Sequence, residues 1–165
     1  MKKAFTLVEL LLYLGVSAVV LLSSSLFLGT ILESRIKNQA ISEVDLQGKQ
    51  VTDLITQSLR ESVSINSPTS GNSANSLSFN TPTASLNPTI VSLSGGAIHL
   101  KEGSGAEISL TNSRVVVTEL SFTSMSNSPA HGSVRIRFVL SYKNPSARSE
   151  FAYSKTFITT ASLRR

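Results

Sequence analysis

Residues 10–32 form 23 consecutive positions without a formal charge, dominated by Leu, Val, Ile and Phe. As a helix this run is about 34 Å long, enough to cross a hydrocarbon core of about 30 Å. A cleavable secretory signal has a shorter apolar core, about 7–15 residues, and ends at a small-residue site. Here the run passes directly into a second helical pattern. Lys2 and Lys3 precede it, and basic residues are retained on the cytoplasmic side. The sequence therefore predicts a single-pass protein of the cytoplasmic (inner) membrane. Its N-terminus is expected in the cytoplasm and its C-terminal part outside.

Over 33–64 the composition changes but the helical period persists. Ile36, Ala40, Val44, Val51, Ile55 and Leu59 recur at spacings of four and seven, which places them in one apolar stripe. Charged residues such as Lys37, Glu43, Asp45 and Asp53 fall between them. The first proline is Pro68, so nothing in the sequence stops the membrane half (5–32) and the amphipathic half (33–64) from forming one helix. Such a helix of about 60 residues is about 90 Å long, far beyond the mean of about 11–12 residues. Gly15, Gly29, Gly48 and Ser23–Ser25 are the positions where it is expected to bend or loosen.

No Asp, Glu, Lys or Arg occurs in residues 62–100, which are rich in Ser, Thr and Asn. Residues 65–76 read as a linker, followed by a β-rich head at 77–165. Alternating segments at 77–79, 90–93, 98–100, 107–110, 115–122, 134–142 and 151–159 read as antiparallel strands. Gly95-Gly96 and the Gly103/Gly105 pair mark turns between them. In 134–142 the alternation puts Val134, Ile136, Phe138, Leu140 and Tyr142 on one face and Arg135, Arg137 and Ser141 on the other. The stripe of 33–64 is the available cover for one apolar sheet face. The predicted class is α+β, a long N-terminal helix packed on an antiparallel sheet domain.

Enzymatic chemistry finds little material in this composition. The chain of 165 residues has no cysteine and two histidines, which excludes disulfides, thiolate metal sites and cysteine nucleophiles. His99 is expected to point outward from a strand, and His131 sits in a proline-containing loop. The aspartates are Asp45 and Asp53, both in the helix, so an aspartate-based calcium loop is absent. No Gly-x-Ser-x-Gly elbow occurs, and the glycine pairs lack the lysine of a phosphate loop. The sequence thus predicts a protein that is no enzyme, with no cofactor and no metal. The net charge is +5, and residues 101–165 hold nine basic and four acidic side chains. Arg135, Arg137 and Arg164-Arg165 make DNA a candidate partner. Phe138 and Tyr142 project to the opposite face, which favours a solvated surface.

The most specific signal is the string Met1-Lys2-Lys3-Ala4-Phe5-Thr6-Leu7-Val8-Glu9-Leu10. An acid at the mouth of an apolar span is costly and tends to be functional. A short basic leader and a Phe-Thr-Leu-Val-Glu core resemble the type IV pilin and pseudopilin family over about 30 residues. The resemblance implies cleavage by prepilin peptidase between Ala4 and Phe5 (leader 1–4), then N-methylation of the Phe5 amine. Glu9 corresponds to that family's near-universal glutamate. The residue before the cut is usually Gly and here is Ala4, which keeps a small side chain. The absence of cysteines and of an aspartate loop, with an ending at 157–165 like theirs, resembles minor pilins and J-type pseudopilins. The implied fold is pilin-like. The implied partners are other pilin or pseudopilin subunits, prepilin peptidase, an inner-membrane assembly platform and, before assembly, membrane lipid.

Glu9 also has a reading in its own chemistry. Buried in hydrocarbon, its carboxylate must stay protonated or find a cation. Cleavage would create an amine on Phe5, and packing subunits with an axial offset would pair it with a neighbour's Glu9. Thr6 can hydrogen-bond that carboxylate or start the helix. Two function classes follow: a structural subunit of a type IV pilus or of a secretion or competence pseudopilus, or a membrane-anchored extracytoplasmic binding or adhesion domain that never polymerises.

Overall fold

The protein was described from a computed structural model, which describes residues 6–125 and 132–163. A single helix, α1 (Leu7–Arg60), runs without interruption for 54 residues. Among the described residues nine strands follow: β1 (Ser64–Ser67), β2 (Ser73–Ala74), β3 (Ser76–Asn80), β4 (Thr89–Ser94), β5 (Ala97–Glu102), β6 (Ile108–Ser109), β7 (Val115–Ser124), β8 (Ser133–Tyr142) and β9 (Ser154–Ser162). They form two antiparallel sheets, ordered β1-β3-β4-β5-β6 and β2-β7-β8-β9. The α+β class read from the sequence is the class observed, with two sheets under the helix where one was expected.

The positions expected to weaken α1 do not break it. The hydroxyls of Ser17, Ser23 and Thr30 donate to the carbonyls of Tyr13, Val20 and Phe27, so these polar groups are satisfied inside the helix. The helix ends at Arg60, four residues short of the sequence boundary. Glu61 N–H donates to the Gln57 carbonyl, and the Ser62 N–H and hydroxyl both reach the Leu59 carbonyl. That tightened last turn releases the chain into β1.

One core joins the helix to both sheets. Val44, Val51, Ile55 and Leu59 from α1 meet Leu77, Phe79, Val91 and Ile98 from the larger sheet. Val117, Phe122, Ile136, Phe138 and Leu140 complete it from the smaller sheet. Ala40 is also buried, while Ile36 is half-buried. The expected inward face of β8 is the observed one. In β7 a bulge between Val117 and Glu119 shifts the parity of alternation. Val115 and Val117 before it and Leu120 and Phe122 after it therefore all reach the core. The β4–β5 hairpin closes at Gly95 and Gly96, both at positive φ, where a glycine relieves the steric cost.

Two sequence readings are corrected here. Residues 65–76 are no plain linker, because β1 pairs with β3 and β2 pairs with β7. Gly48 is a packing site, since a Cβ there would overlap the ring of Phe157. That ring stacks on Phe138 with centroids 5.2 Å apart. Glycine lets the ring lie directly on the helix backbone.

Polar contacts fix the helix at the rim of this core. Glu43 accepts from Asn112 Nδ2 at 2.6 Å and pairs with Arg114 at 3.3 Å. Gln47 Oε1 accepts from the Asn112 N–H at 3.2 Å, and Lys155 donates to Asp45 at 2.9 Å. The hydrogen bond to Asp45 is the main cause that raises the Lys155 pKa, against an opposing effect of burial.

Candidate functional site

The first 33 residues of α1, 7–39, contain no buried residue. At 1.5 Å per residue they project about 50 Å from the head. Leu7, Val8, Val19, Leu21, Leu26 and Phe27 are each about two-thirds exposed or more. Exposed apolar surfaces of this size mark contacts with membranes or with other proteins. By length and composition the helix is able to span a membrane.

At its start Thr6 has extended backbone angles (φ −79°, ψ 148°), and its hydroxyl accepts from the Glu9 N–H at 3.3 Å. Thr6 is therefore the helix N-cap, the second of the two roles its position allowed. Glu9 sits in the first turn of the helix. Its Oε1 accepts from the Tyr13 hydroxyl at 3.4 Å. Sequence reading passed over Tyr13, although its spacing of four from Glu9 is the signal that places both on one helix face. Lys2, Lys3, Ala4 and Phe5, the expected leader, cut site, methylation site and topology residues, lie outside the described residues.

Among the described residues there is no group of three His, Asp or Glu side chains able to hold a metal. His99 faces away from the core between Ser92 and Ser109 on the neighbouring strands, half-buried, as its alternation with Ile98 and Leu100 implied. His131, Arg164 and Arg165 lie outside the described residues. Arg137 pairs with Glu119, so one of the arginines read as a DNA contact is already engaged by an acid.

Compared with known proteins, the chain matches no family model, no curated protein and no solved structure.

Proposed function

We propose that this protein is a structural, minor subunit of a type IV pilus or of a type II secretion or competence pseudopilus. In this reading prepilin peptidase removes residues 1–4 and the new Phe5 amine is methylated. The protein then waits in the cytoplasmic membrane and enters the filament through α1. The observation that carries the reading is the bare apolar half of α1, continuous with a helix whose other half is the cover of a folded head. A simple anchor needs a span but no rigid continuation into the domain. A filament subunit needs the head held at a fixed distance and rotation from its packing surface, and an unbroken helix supplies both.

Glu9 provides register. Apolar helices slide past one another with little change in contact energy. A carboxylate that meets a neighbour's Phe5 amine selects one axial offset. Such a buried pair adds little net stability but strongly disfavours the state with one partner missing. The hypothesis is tested by Glu9→Ala and Glu9→Gln, with precursor cleavage and filament incorporation followed by shearing and immunoblot. Both variants are expected to insert and be cleaved normally, with incorporation reduced at least about tenfold. Incorporation of both at the wild-type level would overturn the register role, and absence of the wild-type protein itself from the sheared filaments would favour the non-polymerising anchor.

A further inference from the structure

The charge-free run of α1 ends at Leu32, and the main body of the head begins only at Ala40, the first buried residue of the helix. The gap between them is about 12 Å along the axis. One part of the head reaches down into this gap. The loop between β8 and β9 carries a 3₁₀ turn, Ser149–Phe151, which packs on α1. Ser149 lines a shallow cleft with Glu33, Ser34 and Lys37. With Leu32 at the hydrocarbon edge, residues 33–37 span about 7.5 Å, which is the depth of the headgroup layer on one side of a bilayer.

The loop is built firmly. Asn144 accepts from the Arg148 N–H at 3.1 Å and donates to the Arg148 carbonyl at 2.6 Å. Phe151 stacks on Tyr142 at 5.7 Å, and the Arg148 guanidinium lies over the Phe151 ring at 5.7 Å. Residues 33–37 and 143–151 together hold four basic side chains (Arg35, Lys37, Lys143, Arg148) against two acidic ones. Tyrosine and long basic side chains are the residue types that membrane interfaces favour.

We infer that residues 33–37 and the β8–β9 loop form a basic collar that docks the head on the anionic phospholipid headgroups of the outer face of the membrane. This rests on the reading of residues 7–32 as the membrane anchor. The docked collar fixes the tilt of the head before assembly, and leaving the membrane requires its release. The commitment to lipid follows from height: the same helix that carries the collar places it in the headgroup layer.

The chain has no cysteine, so single cysteines can carry a fluorophore in the full chain, reconstituted in vesicles. Ser146→Cys reports on the collar, Ser162→Cys on the far end of β9 and Leu21→Cys on the apolar half; all three sites are exposed. Vesicles of phosphatidylcholine are compared with vesicles containing phosphatidylglycerol, each with a headgroup quencher or an acyl-chain quencher. Each basic side chain that reaches an anionic surface favours docking roughly fivefold. The Ser146 label should therefore be quenched several-fold more than the Ser162 label in anionic vesicles. That excess should fall in phosphatidylcholine, in 1 M salt and in Lys143→Glu/Arg148→Glu. Equal headgroup quenching of the two labels, with Leu21 quenched from the acyl chains, would overturn the collar and leave the anchor standing. So would an excess at Ser146 that ignores lipid charge and salt. A Leu21 label untouched by the acyl-chain quencher would remove the anchor itself, and the collar with it.

Discussion

Gly48→Ala sets two physical effects against each other, and the structure decides the sign. In an exposed helix the change would stabilise by about 1 kcal/mol, because alanine is the better helix former. Here the new methyl would occupy the space of the Phe157 ring. The ring must move, which costs about 1–3 kcal/mol as overpacking. Its stack on Phe138 is loosened as well, worth about 0.5–1.5 kcal/mol. The net expectation is a destabilisation of about 1–3 kcal/mol, the helix-propensity gain included. The assay is urea unfolding of the full chain in mild detergent, followed by the emission of its tyrosines, since the chain has 3 Tyr and no Trp. With a slope of about 1–3 kcal/mol per M, the midpoint should fall by roughly 1 M. Gly48→Ala combined with Phe157→Leu should cost less than the two single changes added, with a coupling of about 1 kcal/mol. A midpoint that rises, or single effects that add without coupling, would show that Gly48 and Phe157 do not share this space.

Further outcomes follow from the same packing. A fragment of residues 33–165 should be a soluble monomer that unfolds cooperatively, because the stripe of α1 keeps its cover; sedimentation and thermal melts check this, and aggregation would show that the head depends on the apolar half. Lys155 has a raised pKa from Asp45, so its contribution is present at neutral pH and is lost as pH rises through the folded value. The difference in melting temperature between wild type and Lys155→Met should therefore shrink as pH rises above 10.5, the ordinary lysine value, and a constant difference would contradict the pairing.

The helix and the core faces were legible in the sequence because a single period writes them. Ala40, Val44, Val51, Ile55 and Leu59 announce their stripe by spacing alone, and the alternation in 134–142 does the same for β8. What stayed hidden depends on distant partners. Ser64–Ser67 has one apolar residue, Ile65, and becomes a strand only through pairing with β3. The two residues of β2 are a strand only because β7 lies beside them. The bulge in β7 breaks the alternation of its own sequence, so its inward face cannot be read without β8. Gly48 looked like a weak point because the ring that needs it lies 109 residues away. At the candidate site, Thr6 was legible as a helix start, and Glu9 drew attention as an acid at the mouth of an apolar run. The Tyr13 contact needed only the helical spacing.

The central claim is that α1 is a processed assembly helix and no mere anchor. Mass spectrometry of the protein purified from membranes and from sheared filaments tests this at its N-terminus. The account predicts a chain that begins at Phe5, has lost Lys2 and Lys3, and carries one added methyl group on its amine. A chain that retains Met1 to Ala4 in both fractions would contradict it.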